Sequence, residues 1–256
     1  MKQPPTILKT NIAEDAWKPL KKFTNARIAI GRAGNAVPLA EDLQFRADHA
    51  QARDAVFAEL NVEQLTAGLS QFNLPIIYLQ SRAGNRQEYL KRPDKGRTLN
   101  DESIKKLTAE KKIDISFIIA DGLSPRAVNL YTQPVLQYLL SMCNDARFSI
   151  APICIVQQGR VAIGDETGML LGASLSVVFI GERPGLSSPH SMGLYISYNP
   201  VIGLTDESRY CISNIHTHGG LSPQEAATQA FTLIQNAFDL KLSGVNAKKQ
   251  RQLPKE

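Results

Sequence analysis

Two unbroken runs of β-formers constrain this chain more than any other feature. Asp114-Ile115-Ser116-Phe117-Ile118-Ile119-Ala120 and Ser174 to Gly181 are apolar along most of their length rather than at alternate positions. A strand with one wet face alternates, whereas a strand apolar throughout is covered on both faces. Both runs therefore belong inside a sheet with helices on either side. Asp121-Gly122-Leu123 is an exit turn, and Ser124-Pro125 joins an N-cap residue to Pro at the first helical position. The apolar helix that follows reaches about Leu140, and Pro134 within it predicts a kink or a split. Phe148 to Val156, Leu194 to Tyr198 and Tyr210 to Ile215 read as further strands. Ser222-Pro223-Gln224-Glu225 is a capping box that opens a last helix. Ala226, Ala230, Leu233, Ile234, Ala237 and Phe238 form its buried face, and it ends near Ser243-Gly244. The alternation predicts an α/β fold: a largely parallel sheet flanked by helices, Rossmann-like in plan. Ligands in such sheets meet the carboxyl ends of the strands. The loops after Ala120, Val156, Ile180 and Ile215 are therefore the places to search.

The first part of the chain is less regular. Asp15–Phe23 suits a short helix with Trp17 and Leu20 on one side, and Gly31-Arg32-Ala33-Gly34 is a glycine-bracketed turn. Pro38 to Leu60 reads as a helix whose Leu39, Leu43, Phe45, Ala50, Val56, Phe57 and Leu60 recur at roughly helical spacing, which predicts a core face. Pro75 to Leu79 is strand-like, and Tyr89 to Leu99 is polar with turn signals at Pro93-Asp94 and Lys95-Gly96. Asn100 is placed to cap a helix through Ile104 and Leu107 to about Lys111. The expected organisation is a helical N-terminal extension (1–30), an α/β domain (31–246) whose 31–112 section forms a helical subdomain, and a basic tail (247–256).

Composition enters where partners are concerned. The net charge is +5, but residues 1–32 carry +5, residues 241–256 carry +4 and the body between carries −4. A nucleic-acid-binding domain carries its basic stripe on the fold itself, with interleaved aromatics, so no nucleic-acid partner is expected. Three cysteines cannot form a disulfide scaffold. No apolar run approaches the ~20 residues that cross a bilayer, and the first residues lack the apolar core of a secretion signal. The expectation is a cytoplasmic protein with no membrane partner.

The chain lacks the glycine-rich phosphate loops of nucleotide enzymes and the G-x-S-x-G of serine hydrolases. Asp121-Gly122-Leu123-Ser124 either seats an anion at a helix start or is a plain capped turn. His216-Thr217-His218 beside Cys211 does not match a standard zinc spacing and reads as a strand-exit loop with ordinary histidines. The pairs Asp165-Glu166 and Asp206-Glu207 read as solvated acids, and Cys211 as a small buried residue at a strand start. Gly181-Glu182-Arg183-Pro184-Gly185 puts a charge pair at the carboxyl edge of a central strand. It is either a salt-bridged turn or a rigid acid that meets a ligand.

Seven segments taken together carry a resemblance. They are Gly31-Arg32-Ala33-Gly34, Ala47-Asp48-His49, Tyr89-Leu90-Lys91-Arg92-Pro93-Asp94-x-Gly96-Arg97, Asp121-Gly122-Leu123-Ser124, Gly159-Arg160-Val161, Gly181-Glu182-Arg183-Pro184-Gly185 and Cys211-Ile212-Ser213-Asn214-Ile215-His216. In this order and spacing the chain resembles the small (light) subunits of ethanolamine ammonia-lyase from about residue 24 to 246. The resemblance implies adenosylcobalamin as cofactor, conversion of ethanolamine to acetaldehyde and ammonia by radical rearrangement, and a hetero-oligomer with a large subunit, six copies of each chain. The large subunit would hold the substrate, and the location would be the cytoplasm, inside or outside a bacterial microcompartment. The resemblance places cofactor contacts at Val161, Glu182 and Cys211, with no catalytic or metal-ligating residue on this chain. Arg160 and Arg183 are further candidates, for the cofactor's phosphate. Asn214-x-His216-x-x-Gly219 differs by its Asn from the D-x-H-x-x-G in which some cobalamin proteins supply a His to cobalt, so His216 is not assigned as a cobalt ligand. The alternative reading is a non-catalytic α/β module that binds a nucleotide-like ligand.

Overall fold

The computed structural model describes residues 12–109, 112–217 and 219–247. Its elements in chain order are α1 (Leu39–Phe57), α2 (Val62–Leu69), β1 (Ile76–Gln80), α3 (Arg86–Lys91), α4 (Asp101–Ile104), β2 (Ile113–Ala120), α5 (Pro125–Asp145), β3 (Ile153–Gln157), α6 (Ile163–Leu170), β4 (Ala173–Gly181), β5 (Met192–Tyr198), β6 (Tyr210–Ile215) and α7 (Pro223–Leu240). A 3₁₀ turn at Lys18–Lys22 stands where a short helix was expected.

The six strands form one sheet in the order β1-β3-β2-β4-β5-β6. The pairings β1–β3, β3–β2 and β2–β4 are parallel, and β4–β5 and β5–β6 are antiparallel. Five strands therefore point one way and β5 alone opposes them. The carboxyl ends of those five, and the start of β5, share one edge. β2 and β4 lie at the centre, as their apolar runs require: Ile115 to Ala120 and Leu175 to Gly181 are buried without exception. α5 and α7 cover one face, packing Val135, Leu139, Ala230 and Ile234 onto Phe117, Val177 and Phe179. α6 covers the other face, where Ile163 meets Ala120, Val156, Val178 and Ile180.

Four local differences from the sequence reading have physical causes. α5 runs without interruption through Pro134. The carbonyl that loses its partner belongs to Leu130, an exposed residue, so the lost bond falls on the solvent side of the helix, where water can satisfy it. The third strand begins at Ile153 rather than Phe148, because Arg147 adopts a left-handed turn (φ 62°) and only Ile150 makes an isolated bridge before it. α6 went unread because its acidic start, Asp165-Glu166, resembles a loop. Finally, α1 has no core face: of its residues only Ala55 is buried, while Leu39 is 70%, Leu43 56% and Phe57 55% exposed. Leu39, Leu43, Ala50 and Phe57 recur on one side of the helix, but among the described residues no facing element covers them.

The capping box of α7 forms as read, with Ser222 and Glu225 bonding reciprocally. The helix stops at Lys241 in a left-handed conformation (φ 52°), a little before Ser243-Gly244. Gly31 and Gly34 both take positive φ in the predicted turn. Asn100 caps α4 by accepting from the Ser103 N–H, but α4 is only four residues long. Residues 1–11 and 248–256, which hold much of the positive charge, lie outside the described residues, as do 110–111 and His218.

Candidate functional site

The carboxyl edge of β4 carries a polar group held from several elements. Glu182 follows Gly181 and extends the antiparallel ladder by one bond, its N–H donating to Ser191 O at 2.9 Å. Its carboxylate accepts from three donors. Ser191 Oγ donates to Oε2 at 2.5 Å, Asn214 N–H donates to Oε2 at 3.1 Å, and Ser213 Oγ donates to Oε1. The segment before β5 and two residues of β6 thus hold one side chain at the end of β4. Gly193 makes room for it, since a Cβ there would stand 3.0 Å from Oε1. Glu182 spends its bonds on these groups and not on Arg183, which is exposed. The salt-bridged-turn reading of this segment therefore does not describe its geometry.

Glu182 and Val161 line the same open cavity, of about 410 Å³, together with Arg160, Arg183, Tyr195 and Ser213. Cys211 lies just beyond it. It shares a face of β6 with Ser213 and pairs across to Tyr195 in register, with its thiol beside the Tyr195 hydroxyl. Partial burial raises the thiol's pKa, and the Glu182 charge raises it further, against the pull of the Tyr195 hydroxyl. A protonated thiol is a poor nucleophile. Cys211 is exposed rather than buried, because among the described residues no helix covers this face of the β5–β6 end. The three residues singled out by resemblance thus fall on one continuous surface.

Behind the cavity, strand exits pack backbone on backbone. A Cβ on Gly122 (φ +58°) would fall 2.2 Å from Gly181 O, and one on Gly181 would fall 2.2 Å from Ser124 O. The Leu123 N–H, which an anion at the start of α5 would need, already donates to Gly181 O at 2.8 Å. Ser124 does not cap the helix by its side chain; its hydroxyl donates to Pro189 O at 3.3 Å.

The sequence reading missed a second layer. Asp121, at the end of β2, accepts the N–H groups of Gln158 at 2.8 Å and Gly159 at 2.9 Å. Arg86 on α3 stands 3.8 Å from it. Burial raises the Asp121 pKa to about 6, against the pull of the backbone bonds and Arg86. Tyr89, fully buried, is stacked between two guanidiniums, Arg160 at 4.2 Å and Arg86 at 4.7 Å from its ring centre. Its hydroxyl donates to Gly159 O at 3.2 Å. Arg160 Nε is buried on the cavity wall without a partner. The available signals were an acid closing an otherwise apolar strand and Gly96, where a Cβ would stand 2.8 Å from Arg160 Cγ.

The remaining candidates are placed elsewhere. His216 is buried and bonds Asn214 Oδ1 at 2.7 Å and Ser188 Oγ at 3.0 Å, tying the loop after Glu182 to β6. Among the described residues, no group of three or more His, Cys, Asp or Glu is arranged to hold a metal ion. Asp165 and Glu166 are not solvated: Asp165 pairs with buried Arg209, and Glu166 accepts the Leu99 N–H at 2.6 Å. Burial raises the Asp165 pKa, and Arg209 pulls it back. Asp206 is exposed and pairs with the same Arg209 at 2.9 Å.

Comparison with known proteins bears on what this surface serves. A family model described as ethanolamine ammonia-lyase light chain (EutC) matches residues 14–248. A protein named ethanolamine ammonia-lyase small subunit from Pseudomonas fluorescens (strain SBW25) is 43% identical over 99% of this chain and 92% of its own length. Proteins of the same name from Xanthomonas campestris pv. campestris (strain B100) and Pseudomonas aeruginosa (strain LESB58) are each 44% identical, over 96% and 94% of this chain and 92% and 90% of their own lengths. The chain belongs to the ethanolamine ammonia-lyase light-chain family.

Proposed function

We propose that this chain is the cofactor-enclosing subunit of an adenosylcobalamin-dependent ethanolamine ammonia-lyase, and that the cavity at Val161 and Glu182 receives an edge of the cobalamin. Family membership supports the subunit role, and a small subunit implies a large one. The observation that carries the cofactor reading is the Glu182 carboxylate. A carboxylate has about four acceptor positions. Ser191 and Asn214 occupy Oε2 and Ser213 occupies one side of Oε1, which leaves one acceptor position on Oε1. The rim of a corrin carries amide side chains whose N–H groups suit it.

The rest of the surface fits the same group. Val161 gives an apolar wall, and Cys211 is small beside Tyr195 on the uncovered sheet face. Arg160 and Arg183 present guanidiniums, one with an unspent buried nitrogen, toward an anionic group such as a phosphodiester. A cavity of about 410 Å³ admits part of a corrinoid and leaves the remainder for a second chain to cover. When bound, adenosylcobalamin supplies the radical that starts the rearrangement. This chain's residues bind, orient and shield it, and the large subunit holds ethanolamine.

The test is a cobalamin titration of the reconstituted two-subunit complex, wild type against Glu182→Gln, beside a thermal melt. Gln keeps the shape but loses the charge and turns two donors toward Ser191, Ser213 and Asn214. A hydrogen bond to a charged group is worth roughly 1.5–3 kcal/mol, so affinity is expected to fall about ten- to a hundredfold. Unchanged affinity with a lowered melting temperature would overturn the reading and leave Glu182 a structural clamp between strands.

A further inference from the structure

We infer that Asp121 is a positioning residue: by holding the turn at Gln158-Gly159 it aims Arg160 and Val161 into the cavity. The inference rests on the cofactor reading above. Arg160 and Val161 stand on the loop between β3 and α6, where no strand pairing supports the backbone. Gln158 there takes φ 56°, a left-handed conformation that a residue with a side chain adopts only when its surroundings impose it.

Asp121 is the group that imposes it. From the end of the neighbouring strand, Oδ2 accepts the Gln158 N–H and Oδ1 accepts the Gly159 N–H, at 2.8 and 2.9 Å. One carboxylate thus aligns two successive peptide units. Gly159 is drawn close onto β2, where a Cβ would stand 3.0 Å from Ala120 Cβ. The next residue, Arg160, then donates its N–H to Gly96 O at 2.8 Å, and its guanidinium lies over Tyr89. Arg86 fixes the opposite side, donating to Gly122 O at 2.8 Å and Val56 O at 2.7 Å.

The fold keeps this charge at a cost. Asp121 is 2% exposed, and its burial favours the neutral acid up to about pH 6. A neutral residue would burden folding less, so the carboxylate is retained for what its charge does, which is to hold two amides more firmly than a neutral acceptor can. The charged and titratable groups facing it are Arg86 and Tyr89 from α3, and Arg160 of the held loop acts on that pair in turn.

The experiment uses the reconstituted two-subunit complex in three forms: wild type, D121N and Glu182→Gln. Each is first shown to be folded by circular dichroism. Asn keeps one acceptor and turns an NH₂ toward a backbone N–H. Hydrogen exchange at pH 7, read on the peptide spanning residues 157–161, is expected to be at least about tenfold faster in D121N than in wild type. Cobalamin affinity in D121N is expected to fall about tenfold. Wild-type affinity is expected to weaken as the pH drops through about 6, a step that D121N lacks. Wild-type exchange and affinity in D121N, with loss in Glu182→Gln, overturn this inference alone. Unchanged affinity in both variants overturns it together with the cofactor reading. A pH step near 6 that persists in D121N overturns the assignment of that step, and with it the inference.

Discussion

At the scale of single residues, the site is built from contacts too close for substitution. Gly181 has Ser124 O where a Cβ would go, and Ser124 opens α5, so neither side can retreat cheaply. Gly181→Ala is expected to lower the unfolding free energy by roughly 2–3 kcal/mol, at the upper end of overpacking costs, and to weaken cobalamin binding because Glu182 follows directly. Urea unfolding beside cofactor titration checks both. Asp121 makes a second residue-scale prediction. Its pKa rises on folding from the ordinary 3.8 to about 6. A raised acid stabilises the fold fully below the unfolded value, and that contribution is lost as pH climbs through the folded one. Between pH 4 and 6.5, wild-type stability relative to D121N should therefore fall, by up to about 3 kcal/mol at 1.36 kcal/mol per pH unit. Urea midpoints across that range measure it, and a constant difference would contradict the burial argument.

At the scale of elements, the two long helices behave differently from what their composition suggests. α7 opens with both halves of its capping box in place. Ser222→Ala removes the acceptor for the Glu225 N–H and should cost about 1 kcal/mol. α5 carries Pro134 without a break because Val128, Tyr131, Val135, Leu136 and Leu139 are buried around it. Packing outweighs a local penalty of about 3 kcal/mol for Pro in a helix interior. Pro134→Ala restores an N–H to the Leu130 carbonyl and relieves the ring, so the thermal midpoint should rise. A fall would show that the packing around Pro134 outweighs the restored bond. α1 is the opposite case: a helix of 19 residues with one buried side chain, steadied by the Arg27–Asp48 pair at 3.3 Å and by Arg27 over Phe45. Its stability in isolation is small, because most helical stability in proteins comes from a buried face.

At the scale of the whole molecule, the proposed ligand surface has, among the described residues, no assembled set of acid, base and nucleophile around it. Cys211 is held protonated, and the Asp165 carboxylate is spent on Arg209. The purified chain with adenosylcobalamin is therefore expected to produce no acetaldehyde from ethanolamine, and the large subunit is expected to restore activity. Turnover by this chain alone would contradict the two-chain reading.

The fold class was legible in the sequence because burial on both faces leaves a compositional mark. Ile115 to Ala120 and Leu175 to Ile180 admit almost no polar residue, and nothing but a covered central strand requires that. The start of α7 was legible because a capping box is a local device written in four consecutive residues. Glu182 stood out because a charged residue directly follows a buried strand. Tertiary structure alone decided what each of these meets. No local pattern brings Ser191, Ser213 and Asn214 to Glu182, because they come from the far side of a hairpin and from another strand. None joins Asp121 to Gln158 and Gly159 either, which lie 37 and 38 residues downstream. The periodicity of α1 pointed to a core face that none of the described residues covers. Periodicity records which side of a helix is apolar, whereas burial depends on whether another element arrives to meet it.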